Sequence, residues 1–198
     1  MNAFSHRAFN IYFFTNTFSL LGTWVQKVGL GWLAWQITES TFWTSLVALS
    51  IMAPAGILGP VFAVYAERWD MRRAMLLAKS IITLISILIF LFQIFEMHSL
   101  QSLLLLSFAL GVLNAVHHPI RLVFISLIVP KSYLASAIGL NSVSWSMSRI
   151  VGPGIAGVTI ATFGLDLTFG LAALLFLPFI IVLMWLPLKN RELENENT

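Results

Sequence analysis

Long apolar stretches alternate with short polar segments along this chain. A helix needs about 20 mostly apolar residues to cross the hydrocarbon core of a bilayer. The stretches of that length predict six membrane spans, near residues 11–36, 41–66, 74–95, 102–128, 139–163 and 165–187. Because lipid offers backbone groups no water to bond, only a helical bundle fits these spans. We therefore predict an all-α integral membrane protein with a bundle over residues 1–187 and a polar tail over 188–198.

The basic residues outside the spans lie on one side of the predicted membrane. They occupy the N-terminus, two short loops and the tail, as Arg7, Arg68, Arg72, Arg73, Lys131, Lys189 and Arg191. The three opposite loops hold Glu39, Glu96 and Asp166 but neither Lys nor Arg. Since cytoplasmic loops carry the excess of Lys and Arg, we expect both termini and the tail in the cytoplasm.

Composition excludes several other classes of protein. The chain is 59% hydrophobic and 10% charged, too apolar for a soluble domain of 198 residues. Its net charge of +3 comes from residues at helix ends, so we assign that charge to anionic lipid and predict no nucleic-acid partner. The chain has no cysteine, and no phosphate-binding glycine loop opens a helix. We predict no metal site, no cofactor, no use of ATP and no enzymatic activity.

An internal repeat is visible in the pattern of small residues. The second span carries APAGILGPV and the fifth carries VGPGIAGV, so Gly59-Pro60 and Gly152-Pro153 lie 93 residues apart. Two units of three helices would enter the membrane in opposite senses. Such inverted repeats are typical of secondary transporters, whose substrate path lies at the repeat interface. The alternative is that Gly-Pro pairs are simply common in membrane helices.

Polar side chains inside the predicted spans are candidates for lining a solute pathway. They are Gln26, Lys27, Asn114, His117, His118 and Arg149. Lys27 lies near the middle of its span, where a cation costs about 2.5–3.5 kcal/mol on insertion scales. No Asp or Glu lies in the interior of any span, and Asp166 is at the very start of the sixth. The missing anion is therefore either an anionic substrate or an acid from another polypeptide or another half.

Each of these candidates also has a structural interpretation. One face of the first span carries small and polar residues at helical spacing, namely Thr15, Ser19, Gly22, Gln26 and Gly29. This stripe fits either a close helix contact or a cavity wall, with Gln26 favouring the cavity. The adjacent histidines diverge by about 100° on a helix, so only one can face a cavity squarely. Lys79 and Arg121 lie near the cytoplasmic face, where we expect them to snorkel.

The loop after the second span resembles a signature of the major facilitator superfamily. It reads GPVFAVYAERWDMRRAM, and the signature is Gly-x-x-x-Asp-Arg-x-x-Arg-Arg. Ala63 stands for the usual Gly and Glu67 for the usual Asp. The resemblance implies that a charged cluster forms a cytoplasmic gate. Its members are Glu67, Arg68, Asp70, Arg72 and Arg73.

The fifth span adds a second resemblance. Its SRIVGPGIAG is similar to the antiporter motif of that superfamily's exporters, with Gly152, Pro153 and Gly157 matching. With the related Gly59 and Pro60, these residues are expected to supply close helix packing and a pliable hinge. The stretches FSLLGTWVQKVGLGWLAWQIT and HHPIRLVFISLIVPKSYLASAIGLNS look like the branch that contains the enterobactin exporter and macrolide-efflux proteins.

The resemblance implies a twelve-helix transporter of two six-helix bundles, of which this chain looks like the N-terminal half. It implies proton-coupled export of a drug-like or siderophore-like molecule across a bacterial inner membrane, by alternating access. The expected partners are the lipid bilayer, a small-molecule substrate, and either a missing C-terminal six-helix half or a second copy. The alternatives are a non-transporting six-helix protein, either an accessory subunit or an inert truncated remnant, and, more weakly, an intramembrane enzyme that uses the histidines.

Overall fold

The computed structural model describes residues 3–66 and 70–185, and these residues form helices joined by short turns. The helices are α1 (Arg7–Thr38), α2 (Thr41–Ala66), α3 (Met71–Ile94), α4 (Leu100–Ile128) and α5 (Leu134–Trp185). Short 3-10 turns precede α1 at Ala3–Ser5 and α5 at Lys131–Tyr133. This part of the chain contains no strand, so the all-helical prediction is confirmed. The predicted tail, residues 188–198, lies outside the described residues.

Helix ends follow capping residues more closely than they follow hydropathy. Glu39 ends α1 with a left-handed φ of 49°, and its N–H donates to the Trp35 carbonyl at 2.8 Å. The Asp70 carboxylate accepts from two backbone N–H groups of the first turn of α3. Ser99 caps α4 in a reciprocal pair with Ser102. Because polar caps extend these helices past their apolar stretches, α3 and α4 begin earlier than predicted. Helix α1 also begins earlier, although the His6 side chain makes no cap hydrogen bond.

The predicted fifth and sixth spans lie in one element, α5, which bends at Gly164. That residue has φ 79° and ψ −178°, a conformation that glycine adopts without strain. The Thr168 hydroxyl donates to Thr159 Oγ1 across the bend at 3.1 Å. Residues nine positions apart on one straight helix would be separated by roughly 13 Å. The chain therefore turns back at Gly164, and α5 has a first arm (residues 134–163) and a second arm (residues 165–185).

Four described elements are long and apolar enough to cross a membrane. They correspond to α2, α3, α4 and the stretch that contains α5. Helix α1 has sufficient length, with 32 residues, but falls short in hydropathy. The reason is its polar content, since it buries Asn16, Ser19, Thr23 and Gln26 inside the bundle. A central helix surrounded by protein can carry such residues, whereas a lipid-facing helix cannot.

Polar contacts join α1 to its neighbours. The Asn16 amide donates to Asn141 Oδ1 at 3.2 Å, and Thr17 and Ser144 hydroxyls lie 2.7 Å apart. Both contacts connect α1 to the first arm of α5. Hydrogen bonds of this kind between membrane helices contribute roughly 0.6–2 kcal/mol each. They fix the register of α1 in the bundle.

Apolar packing fills both ends of the bundle. One cluster gathers the start of α1, the start of α3, the end of α4 and the second arm of α5, through Phe9, Tyr12, Met75, Phe124 and Phe179. The other gathers the opposite ends, through Leu30, Leu33, Ile51, Leu110 and Phe169. The centroid of the Tyr12 ring lies 5.6 Å from that of Phe124 and 5.7 Å from that of Phe179. These two clusters leave the middle of the bundle for polar groups.

Small residues allow the helices to approach closely, most of all at Gly111 and Gly152. A Cβ added at Gly111 of α4 would lie 2.5 Å from the Ser50 carbonyl oxygen of α2. A Cβ added at Gly152 would lie 2.5 Å from the Cβ of Trp24. Both distances are too short for any side chain. Glycine at these positions therefore sets the α2–α4 and α1–α5 separations.

One arginine ties the ends of α3 and α5 together. Arg72 Nε donates to the Leu183 carbonyl at 3.0 Å, and its Nη2 donates to the Met184 carbonyl. The last carbonyls of a helix lack partners inside that helix, so the guanidinium caps the second arm of α5. The neighbouring Arg73 instead makes a surface ion pair with Asp70 at 3.2 Å, with its side chain 85% exposed.

Replacing Gly152 by alanine is expected to destabilise the bundle by about 1–3 kcal/mol, because the new methyl group collides with Trp24. Gly157, in the same motif, has no atom within 4 Å of an added Cβ. Gly157→Ala is therefore the matched control and should leave stability unchanged or slightly raised. Titration of both variants with SDS in mixed micelles measures the difference. Equal stability of the two variants would contradict the close contact.

Replacing Arg72 by glutamine is expected to lower the free energy of unfolding by about 1–2 kcal/mol, because two helix-terminal carbonyls lose a charged donor. Arg73→Gln removes the same charge from the next position but only a solvent-exposed pair, so its cost should stay under about 1 kcal/mol. The same SDS titration compares the two. A larger loss at Arg73 than at Arg72 would argue against the cap.

Candidate functional site

A cavity of about 590 Å³ opens between α1, α2, α4 and the first arm of α5. Cavities of this size accommodate drug-sized molecules. Its polar and aromatic lining residues are Trp24, Lys27, Asn114, His117, His118, Arg121, Trp145 and Arg149. Helix α2 supplies an apolar wall of small residues and methionine, including Met52, Gly56, Gly59, Pro60 and Ala63. The structure thus brings together five of the six predicted lining residues.

Two tryptophans form the centre of the polar wall. The Trp24 and Trp145 rings meet edge to face, with centroids 6.1 Å apart. Lys27 Nζ lies 4.5 Å from the Trp24 centroid, and Arg149 Cζ lies 6.0 Å from it. Arg121 Cζ lies 4.9 Å from the Trp145 centroid. Cations held over tryptophan faces are attracted by the ring quadrupole, which lowers the cost of placing them away from bulk water.

Arg121 does not snorkel, contrary to the prediction. Its side chain is 3% exposed and lines the cavity. Its Nε and Nη1 atoms are buried without a hydrogen-bond partner among the described residues. The position is on the face of α4 that meets α5, so Trp145 draws the guanidinium inward. Arg121 is absent from the predicted lining residues because its distance from the helix end does not indicate which face of the helix it occupies.

The two histidines occupy different environments on α4. His118 is exposed to the cavity and meets the Trp145 ring edge at 5.8 Å. His117 is buried, packs against Phe179 at 6.5 Å, and its Nε2 has no hydrogen-bond partner in the described structure. His118 is therefore the one that faces the cavity squarely. Asn114, one turn before, donates to the Leu110 carbonyl at 2.7 Å and presents the rest of its amide to the cavity.

Gln26 does not line the cavity, so this part of the prediction is wrong. Its side chain is 4% exposed, and its Nε2 donates to Ser86 Oγ of α3 at 2.8 Å. On the same stripe, Gly22 lies against Ala172 and Gly29 against Phe169, both in the second arm of α5. The stripe is a helix contact, because small residues there admit two neighbouring helices and Gln26 finds a buried partner.

Lys79 also departs from the expectation that it snorkels. It is 1% exposed, and its Nζ lies 5.1 Å from the Phe176 centroid and 5.8 Å from that of Phe179. The ammonium therefore lies inside the bundle, beside two aromatic rings of the second arm of α5. Lys79 is outside the cavity lining.

The charged cluster predicted as a gate is described only in part. Glu67 and Arg68 lie outside the described residues. Asp70 and Arg72 act as helix caps, and Arg73 pairs with Asp70 at the surface. Of these three residues, Arg72 alone joins α3 to the end of α5, and the Asp70 and Arg73 contacts stay within the first turn of α3.

The predicted packing residues divide into two groups. Gly152 meets Trp24, which positions that ring in the cavity wall. Gly59 and Pro60 line the cavity itself, and neither Gly59 nor Gly157 has an atom within 4 Å of an added Cβ. The packing role expected of Gly59 and Gly157 is therefore not met by contacts within the described chain. Pro153, within α5, follows Gly152 at the contact with α1.

The charges of the cavity wall have one sign. Lys27, Arg121 and Arg149 are basic, and none of the described acids, Glu39, Asp70, Glu96 and Asp166, lines the cavity. The bundle therefore presents a positively charged, aromatic concavity to whatever occupies it.

Comparison with known proteins shows what this chain is similar to. The family model described as "Transmembrane secretion effector" matches residues 1–197. The Staphyloferrin A transporter of Staphylococcus aureus is 28% identical over 179 residues, which cover 89% of this chain and 45% of that protein. The uncharacterized MFS-type transporter YfiS of Bacillus subtilis is 28% identical over 189 residues, which cover 93% of this chain and 43% of that protein. No solved structure matches.

The chain spans less than half the length of these curated relatives. Both are named as transporters, which confirms the prediction that the chain is not an enzyme. The match over residues 1–197 extends from α1 past the end of α5, so it covers every helix that forms the cavity. The chain belongs to the major facilitator superfamily of membrane transporters, in the group described as transmembrane secretion effectors.

Proposed function

We propose that this chain is the N-terminal six-helix bundle of a secondary active transporter that exports a drug-like or siderophore-like molecule by alternating access. The observation that carries the proposal is the polar cavity, which the bundle holds open between α1, α2, α4 and α5. The name of the Staphylococcus aureus relative supports a siderophore-like substrate. The description as a secretion effector supports outward transport.

Six spans arranged as two inverted repeats form part of this proposal. The bend at Gly164 gives α5 a second arm over residues 165–185, long enough to cover about 30 Å. With α1 to α4 and the first arm, the chain then crosses the bilayer six times. Under the 93-residue repeat, the arms of α5 correspond to α2 and α3. Both termini lie in the cytoplasm of a bacterial inner membrane, on the side that carries the basic loops.

A second bundle is needed to enclose the pathway. The cavity opens past exposed residues, among them His118 and Arg149. Helix α2 and the first arm of α5 border it and carry bare apolar faces, with Ile57, Val64 and Ile150 more than 70% exposed. Gly59 and Gly157 would then pack against the other bundle. The lengths of the relatives support a C-terminal half as that partner, and a second copy of this chain is the alternative.

Proton coupling in this proposal requires a titrating group. No Asp or Glu lies in the interior of the predicted spans of this chain, since Asp166 is at the edge of the sixth. The acid that commonly carries the proton is therefore expected on the second bundle, near the cavity. His118 lines the cavity, is exposed, and is a side chain that titrates near neutral pH when unperturbed, so we assign it the exchange of a proton with such an acid.

The central test of the proposal is efflux with and without a second half. The region downstream of the coding sequence is searched for six further spans, and the two chains are co-expressed in an efflux-deficient bacterium. Substrate accumulation should fall only when both halves are present. If this chain exports no substrate either alone or together with the second half, although both chains are present in the membrane, a non-transporting accessory protein or remnant would be favoured.

Replacing Lys27 by methionine is expected to reduce efflux in the complete transporter by about tenfold or more, because a charged contact in the cavity wall is lost. Lys131 lies exposed in the turn before α5, so Lys131→Met is the control for loss of one positive charge. Initial rates of efflux compare the two variants at equal abundance in the membrane. Unchanged efflux in Lys27→Met would make that residue a packing element only.

A further inference from the structure

We propose that the cavity binds a solute that carries two or more anionic oxygen groups on a flat or apolar body, held by Arg121, Lys27 and Arg149. This names the class of substrate for the transporter proposed above and rests on that proposal for its role in export. Arg121 is the principal ligand. The charged groups are carboxylates or phosphates, since both match the geometry of a guanidinium.

The first argument is charge. Three basic side chains line one cavity of about 590 Å³, and no described acid lines it. Like charges placed together repel one another, and the buried one, Arg121, also loses hydration. An arrangement of this kind is stable when a compensating anion enters the cavity. One carboxylate would compensate one cation, so three cations favour a ligand with several anionic groups.

The second argument is the hydrogen-bonding capacity of the wall. Arg121 Nε and Nη1 and Trp24 Nε1 are buried without a partner in the described structure. Each of these atoms can donate a hydrogen bond and cannot accept one. Leaving buried donors unpaired costs about 1–3 kcal/mol per group. These donors are buried at the edge of the cavity, so a ligand reaches them only when the side chains turn toward it, and a ligand that pairs them must be rich in acceptors, as carboxylate and phosphate groups are.

The third argument is the aromatic platform. Trp24 and Trp145 lie edge to face at 6.1 Å, beside an apolar wall contributed by Met52, Gly56 and Pro60 of α2. Cations sit over these rings, with Arg121 over Trp145 and Lys27 over Trp24. A ligand here meets apolar surface on the α2 side and cations on the α1, α4 and α5 side. This favours an amphiphilic anion over a small inorganic one.

The depth of the site favours a solute over a lipid headgroup. Lys27 lies eleven residues before the end of α1 at Thr38, which corresponds to about 16 Å along the helix, and it is farther still from Arg7. Phospholipid headgroups lie at the membrane surface. A lipid would have to insert its phosphate well below that surface to reach Lys27 and Arg149 together.

The test measures binding of benzene-1,3,5-tricarboxylate, a flat trianion, to the full chain in phosphatidylcholine nanodiscs by isothermal titration calorimetry. The uncharged analogue 1,3,5-benzenetrimethanol has the same ring and serves as the control ligand. We expect saturable binding of the tricarboxylate and none of the triol. Equal heats and affinities for the two ligands would overturn the proposal.

The matched variants are Arg121→Gln and Lys131→Gln, which remove one positive charge inside and outside the cavity. Affinity for the tricarboxylate should fall about tenfold or more in the first and stay unchanged in the second. Because Arg121 is buried, the double variant Lys27→Gln/Arg149→Gln tests the same site through more accessible side chains, and it should show a loss at least as large. Wild-type affinity in both cavity variants would overturn the assignment.

Nanodiscs that contain phosphatidylglycerol distinguish the two sources of anionic oxygen. At constant ionic strength, the tricarboxylate should bind these discs with nearly the same affinity. Complete loss of binding there would identify the lipid headgroup as the occupant and overturn the assignment to a solute. These binding measurements need no second bundle. Failure of efflux would therefore remove the transport proposal and leave the anion site, while failure of binding alongside working efflux would remove only the anion.

Discussion

The constraint on which this bundle depends is that three positive charges share one cavity and no acid among the described residues lines it. Lys27, Arg121 and Arg149 face one cavity, and the acids of the described chain lie elsewhere. In a medium of low dielectric constant, such charges need a nearby anion, an aromatic face or water. The tryptophan pair supplies the aromatic face. The open side of the cavity leaves room for the remaining compensation from a solute or from a second bundle.

Close helix contacts place those charges. Gly152 brings the first arm of α5 against Trp24, so Arg149 and Lys27 approach the same ring from two helices. Gly111 brings α4 against the backbone of α2, so these two helices meet closely beside the cavity. The apolar clusters at the two ends hold the helices in this arrangement. The geometry of the cavity is therefore a consequence of which small residues lie at which crossing.

Much of the fold follows from hydropathy, because a 20-residue apolar stretch has few alternatives to a membrane helix. The cavity was predictable in part. Lys27 and Arg149 stand out as cations in apolar surroundings, which marks them without knowledge of any contact. Arg121 does not stand out, since a residue near a helix end can reach the surface unless a partner such as Trp145 holds it inside.

The predictions for Gln26 and Lys79 are wrong because both side chains contact residues on helices that are distant in sequence. Gln26 looked like a cavity residue because no partner for an amide is visible along α1, whereas Ser86 of α3 provides one across the bundle. Lys79 likewise meets Phe176 and Phe179, about a hundred residues later in the chain. The bend at Gly164 lies between the spans predicted to end at 163 and to start at 165. Hydropathy does not indicate which faces of distant helices contact each other.

The most direct measurement of the central claim is labelling of single cysteines by a membrane-impermeant maleimide, in a chain that contains no cysteine of its own. His118→Cys places the thiol in the cavity, and Leu105→Cys places it on the outer face of the same helix, where Leu105 is 69% exposed. In native membranes opened to give the reagent access from both sides, we expect rapid labelling at 118 and little at 105. Labelling of both at the same rate, or of 105 alone, would contradict a water-filled cavity inside a lipid-embedded bundle.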